Sequence, residues 1–136
     1  MAVVDASGQI IGRLSSAVAK RLLNGEDMVV VNAEKALITG SKAWLTQEFH
    51  HRRDVGSQRK GPFYPRRPDR ILHRTIRGML PYQQPRGRAA LKRLKVYVDV
   101  PPTLREGPIE RPEGPKIRTA QVMTLADIAK RLGGEY

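Results

Sequence analysis

The whole net charge of this chain lies in one third of it. Between His50 and Lys95 stand 14 Lys and Arg against two acids, Asp54 and Asp69, which accounts for the formal net charge of +12. The flanking residues hold 11 basic and 11 acidic side chains and balance to zero. Such a chain must rest its fold largely on the balanced flanks, because uncompensated charges repel one another and are costly to bury unpaired. The charged segment also contains Pro62-Phe63-Tyr64-Pro65-Arg66-Arg67-Pro68 together with Gly56, Gly61, Gly78 and Gly87, residues that resist compact folding alone. A partner that neutralises the charge is the natural remedy, and RNA is a polyanion against which such a segment orders. The 17 Arg against 8 Lys favour phosphate recognition, because a guanidinium binds phosphate through two parallel hydrogen bonds.

At 136 residues, with 40% apolar residues, one domain spanning 1–136 is expected. Mean hydropathy is −0.47, neither that of a membrane span nor that of a disordered chain. Apolar runs are only a few residues long, as in Met28-Val29-Val30-Val31, so none can cross a bilayer. Met1-Ala2-Val3-Val4-Asp5 has no basic leader followed by an apolar core, and no secretory signal is expected. The absence of cysteine excludes disulfides, thiolate zinc sites and a cysteine nucleophile, and fits a reducing cytosol.

Val3–Ala6 reads as a buried strand, with Gly8 and Gly12 in the turn after it. From Gly12 to Asn24 the stripe Leu14, Val18, Leu22 marks an amphipathic helix that Asn24-Gly25 stops. Met28–Asn32 is a β-branched run suited to burial on both faces. Strand, helix and strand make a βαβ unit with parallel pairing. Lys35–Thr39 predicts a further short strand, and Ser41 caps a helix through about Arg52 with Trp44, Leu45 and Phe49 as its apolar side. Asp69 is expected to cap a helix reaching Met79 or Leu80, with Leu72 and Ile76 inward and Arg70, Arg74 and Arg77 along one stripe. A helix over about Arg86–Leu94 repeats the device with Arg88, Lys92 and Lys95, while Leu91 and Leu94 pack. Val96–Val100 is the last strand, alternating so that Val96, Val98 and Val100 share a side. Residues 101–118, with five prolines, read as an extended connector, and Thr124-Leu125-Ala126-Asp127 as the capped start of a final helix over 124–133.

Signals for chemistry are weak. Gly8-Gln9-Ile10-Ile11-Gly12-Arg13-Leu14 follows a strand, but it has three residues between its glycines where a P-loop has four, and it lacks the third glycine of a dinucleotide fingerprint. His50 and His51 are adjacent and so point about 100° apart on a helix, and His73 is the only other histidine, which leaves no metal-ligand pattern. Asp5, Glu34, Glu48 and Asp99 are scattered. Asp5 and Asp99 become neighbours only if their strands pair, and capping or ion pairing suits them better than acid–base catalysis. No catalytic residue, metal, cofactor or small-molecule substrate is expected. Phe63, Tyr64 and Tyr82 either stack on unpaired bases or anchor the proline-rich loop.

Four blocks carry a family resemblance. Val3-Val4-Asp5-Ala6 with Gly12-Arg13-Leu14 and Ala19-Lys20 comes first, then Val31-Asn32-Ala33-Glu34-Lys35 with Thr39-Gly40. Arg77-Gly78-Met79-Leu80-Pro81 and then Arg86-Gly87-Arg88 with Leu94-Lys95-Val96-Tyr97 complete them. In order and approximate spacing they resemble the L13 family of large-subunit ribosomal proteins, over residues 2 to about 100. Met123-Thr124-Leu125-Ala126-Asp127-Ile128 and the short connection before Met28 are similar to archaeal members. The resemblance implies an α/β/α sandwich around a four-stranded, mostly parallel sheet with basic extensions. It also implies a cytoplasmic, non-catalytic constituent of the large subunit that binds its ribosomal RNA and packs beside other ribosomal proteins. Arg77, Arg86 and Arg88 carry over as RNA contacts, and Gly78 and Pro81 as positions that shape the backbone.

The expected RNA surface is thus the 50–95 segment, through Arg53, Arg59, Lys60, Arg66, Arg67, Arg70, Arg74, Arg77, Arg86, Arg88, Lys92 and Arg93. An RNA-processing or other non-ribosomal RNA-binding factor is the competing reading, and it requires a cleft of clustered titratable groups. A peripheral membrane module would instead need bulky apolar residues exposed beside the charges, whereas Leu72 and Ile76 are assigned to the core.

Overall fold

The computed structural model describes residues 2–54, 59, 64–112 and 121–133. In chain order its elements are β1 (Ala2–Asp5), α1 (Ile11–Leu23), β2 (Met28–Val31), β3 (Leu37–Thr39), α2 (Lys42–Asp54), α3 (Pro68–Gly78), α4 (Pro85–Lys92), β4 (Leu94–Val96), β5 (Val122–Thr124) and α5 (Leu125–Leu132). The apolar run of β2 decides the centre. All four of its residues are buried, and it pairs in parallel with β1 on one side and β4 on the other. Successive strand residues point to opposite faces. Val4, Met28, Val30 and Leu94 therefore meet Leu14, Val18 and Leu22 of α1 and Ile71, Leu72 and Ile76 of α3 in one core. Val3, Val29 and Val31 look the other way, where Val100, Leu104 and Ile109 cover them.

The βαβ expectation is met, and the sheet is parallel. Among the described residues the parallel sheet has three strands, and beyond β1 the chain adds a single parallel bridge, Val4 to Glu110. The second face is covered by extended chain with one 3-10 turn, Pro102–Leu104. Proline is the reason, because Pro101, Pro102, Pro108 and Pro112 have no amide hydrogen to continue a ladder or a helix interior. Arg21 pins this connector to α1, holding Glu110 at 2.7 Å and Glu26 at 2.8 Å, and it draws the Glu110 carboxyl below its ordinary range.

Several local expectations shift. The last parallel strand is Leu94–Val96 rather than Val96–Val100. It starts almost at the end of α4, and after Tyr97 the chain crosses over, so that Val96 packs on the helix side and Val100 on the opposite side. Lys95 consequently lies in β4, and the expected helical stripe reduces to Arg88 and Lys92. Trp44 does not join Leu45 and Phe49 in the core but is 57% exposed, because a neighbour on a helix is rotated by about 100°. The structure also contains a strand that local patterning did not signal. β5 pairs antiparallel with β3, Ile38 opposite Met123, and runs directly into α5. There the Thr124 hydroxyl accepts from the Asp127 N–H at 3.2 Å, while Gly133, at φ +79°, supplies the left-handed stop. Leu125, Ile128, Ala129 and Leu132 are the buried face, as expected.

Candidate nucleic-acid interface

α3 begins at Pro68, not with an Asp69 cap. Arg67 occupies the cap position, and Pro68, with fixed φ and no N–H to satisfy, takes the first helical position. Asp69 falls in the first turn, where a carboxylate suits the helix dipole, and lies 3.4 Å from the Arg67 guanidinium. Ile71, Leu72 and Ile76 are buried. At 100° per residue, Arg70, His73, Arg74 and Arg77 then fall together on the opposite side. With Pro65 these four line a recess of about 430 Å³. His73 titrates below its ordinary 6.5, pushed down by burial and then by the Arg77 charge, against a smaller opposing pull from Asp69.

Past α3 the chain turns through Tyr82 and re-enters helix at Pro85. Gly87 and Ala90 are buried, while Arg86, Arg88 and Lys92 are exposed. Arg88 stiffens the turn, its Nε donating to the Tyr82 carbonyl at 3.3 Å and its Nη2 to that of Gln83 at 3.1 Å. The Arg86 Nε donates to Gln84 Oε1 at 3.2 Å. A second recess, of about 460 Å³, is lined by Arg77, Tyr82, Arg88, Leu91 and Lys92. Arg77 borders both recesses, so α3 and α4 present one continuous cationic face. His73 and Leu91 are lining residues that a search for charge alone passes over, although His73 at i+3 from Arg70 is a positional signal for the first.

Other expected contacts are engaged inside the molecule. Arg93 turns inward, its Nη2 donating to the Leu22 carbonyl at 2.6 Å near the end of α1. Arg53 donates to the Leu132 carbonyl at 3.1 Å and pairs with Asp54 at 2.9 Å. Arg59 and Arg66 are exposed. Lys60 and Phe63 lie outside the described residues. Tyr64 is an anchor, with the Arg74 guanidinium 4.9 Å and that of Arg52 5.8 Å from its ring centre, and Phe49 packed edge-on at 5.9 Å. Tyr82 is different, since Arg77 sits 5.2 Å from its ring centre but the residue remains 41% exposed.

Of the two backbone-shaping positions, Gly78 sits at an open helix end where a Cβ would touch nothing, whereas the Pro81 backbone, with that of Tyr82, is pressed closely by Gly87 of α4. Three carboxylates, Asp5, Glu34 and Asp99, lie towards the carboxyl end of the sheet. β2 separates β1 from β4, so Asp5 and Asp99 do not pair across adjacent strands. Burial pushes the Asp5 carboxyl up, but hydrogen bonds from Ser7 and from the Asn32 amide (3.1 Å), with the Arg111 charge, bring it below its ordinary value. Glu34 beside them is raised by burial, with smaller contributions from Asp99 and Asp5. Among the described residues no group of His, Cys, Asp or Glu could hold a metal ion, and no helix is long and apolar enough to cross a membrane.

Fold and face together define a small α/β protein with a polycationic helical surface. A family model described as Ribosomal protein L13 matches residues 1–103, and the chain belongs to that family. It is 50% identical over 135 residues to the large ribosomal subunit protein uL13 of Archaeoglobus fulgidus, covering 96% of this chain and 86% of the relative. It is 49% identical to the uL13 of Methanocaldococcus jannaschii over the full length of both chains, and 47% identical to that of Thermoplasma acidophilum over 98% and 99% of the two.

Proposed function

We propose that this chain is a structural, non-enzymatic constituent of the large subunit of the cytoplasmic ribosome, and that it holds large-subunit ribosomal RNA on the α3–α4 face. The observation that carries this reading is the shared position of Arg77 between the Arg70–His73–Arg74 recess and the Tyr82–Arg88–Lys92 recess. Among the described residues Arg70, Arg77, Arg86, Arg88 and Lys92 make no ion pair with a carboxylate. They are available to neutralise phosphates, and release of the RNA's counterions then drives binding. Arg74, Arg66, Arg67 and Arg59 extend the contact along the same segment, whereas Arg53 and Arg93 serve the fold. Neighbouring ribosomal proteins are the other partners, and the chain acts as one domain. The four-stranded, three-layer arrangement belongs to the same proposal, supported by the bridge at Glu110 and by the apolar cover of Val100, Leu104 and Ile109.

A salt titration against large-subunit RNA fragments tests the face. The expected result is a linear fall of log K with log salt, its slope reduced by about 0.7–0.9 for each phosphate contact removed. Co-sedimentation with large subunits at low salt is the companion measurement. A slope indifferent to replacement of Arg70, Arg77 and Arg88 would exclude this surface.

A further inference from the structure

We propose that the recess between α3 and α4 is a socket for one unpaired nucleotide of the bound RNA, its base on the Tyr82 ring and its phosphate on Lys92 and Arg88. The inference rests on the RNA-binding reading and adds a ligand of defined size and chemistry to it. The two recesses along the face are chemically unlike. The α3 recess is lined by three arginines, His73 and Pro65, and its only ring, the His73 imidazole, is half-buried, which suits phosphates better than a base. The second places an aromatic ring and Leu91 beside three cationic side chains and contains no carboxylate. A nucleotide has this same division, with a flat apolar base at one end and an anion at the other. The volume of about 460 Å³ falls among those of small-molecule sites, roughly 300–1,000 Å³, and so admits a base with its sugar.

The ring is also prepared for stacking. Arg77 lies 5.2 Å from the Tyr82 ring centre, and the 41% exposure that remains leaves ring surface for a base. Tyr64, with two guanidiniums and Phe49 around it, is much less accessible. The Tyr82 backbone is held on several sides. Its N–H donates to the Leu80 carbonyl at 2.8 Å, its carbonyl accepts from Arg88 at 3.3 Å, and Gly87 packs against its nitrogen and against Pro81. A ring carried on a backbone fixed before binding, with Arg77 beside it, has less freedom to lose when a base settles on it, so more of the stacking energy appears as affinity. Stacking is tolerant of base identity because every base has a π-face, and the socket accordingly selects an extruded nucleotide over a paired one rather than one base over another.

The test follows the Tyr82 ring and Leu91 methyl signals of the full-length protein by NMR while adenosine 5′-monophosphate is added, with ribose 5-phosphate and inorganic phosphate in parallel. The socket requires saturable shifts with the nucleotide, retained within about twofold in Tyr82→Phe and weakened at least about fivefold in Tyr82→Ala, the lower end of one lost base stack. Equal saturation by ribose 5-phosphate would overturn it, since phosphate alone would then suffice. So would a nucleotide that leaves both signals unmoved, or a Tyr82→Ala variant, folded by its amide spectrum, that binds like the parent. Titrating the same samples with ribosomal RNA separates the two levels. A steep salt dependence beside a silent Tyr82 removes the socket alone, and no RNA binding at any salt removes the wider reading as well.

Discussion

Gly87 in α4 lies directly against Pro81 in the preceding turn. A Cβ at position 87 would overlap the Pro81 carbonyl group and come within 2.8 Å of the Tyr82 nitrogen, so only a glycine lets α4 approach this closely. The obstacle is backbone on both sides and cannot move aside as a flexible side chain would. Gly87→Ala is therefore expected to cost at least about 1–3 kcal/mol in urea unfolding, the range for overpacking a tight contact. Gly78→Ala, which meets open space at the end of α3, is expected to be neutral or stabilising by up to about 1 kcal/mol. Equal effects of the two substitutions would contradict this assignment.

Arg93 and Arg77 are expected to part company in two assays. Arg93→Met removes the bond to the Leu22 carbonyl, and its cost of about 1–3 kcal/mol appears in stability while the salt slope for RNA stays as it was. Arg77→Met leaves stability within about 1 kcal/mol and flattens the slope by about 0.7–0.9. Paired denaturation and salt titrations of the two variants check this.

His73 makes stability depend on pH in one direction. Its folded pKa lies below the ordinary 6.5, so on acidification the unfolded chain takes up this proton first. Its contribution is complete above about pH 6.5, is lost as pH falls from there through the folded value, and then levels off. Arg70, Arg74 and Arg77 around it keep their charge through this range, so the comparison with His73→Gln isolates the imidazole. The unfolding free energy of the parent should fall relative to that of the variant as pH drops through that window, and parallel curves would rule the effect out.

Tyr64 is expected to behave as an anchor. Tyr64→Ala loses the edge contact with Phe49 and two guanidinium contacts, together about 1–2 kcal/mol of stability, while Tyr64→Phe keeps most of it. Thermal unfolding of both variants reads the difference, and the RNA salt slope should move in neither.

Much of this architecture is written in local patterns. The stripe Leu14–Val18–Leu22 gives α1, and Ile71, Leu72 and Ile76 give the buried face of α3, because helix geometry alone decides which side chains share a side. The same geometry aligns Arg70, Arg74 and Arg77, so the heart of the cationic face is legible before any fold is known. The continuous run Met28–Val31 declares burial on both faces. Thr124 and Asp127 mark the start of α5 through a bond three residues long.

What the chain order could not disclose depends on partners distant in sequence. β5 is a run of only three residues, too short to declare itself, and it becomes a strand because β3, more than eighty residues away, offers its open edge. Arg53 and Arg93 look like their neighbours in sequence, yet helix-end carbonyls at Leu132 and Leu22 draw them inward once packing brings those ends close. Trp44 is left outside because Leu45 and Phe49 already occupy the inward stripe of α2. The socket on Tyr82 exists only where Gly87 lets α4 close on the Pro81 turn. Sequence determined the elements and the sign of the surface, since periodicity and charge are local properties. Tertiary structure decided which arginines face outward and where a ring stands among them, since those outcomes depend on contacts that form only when remote segments meet.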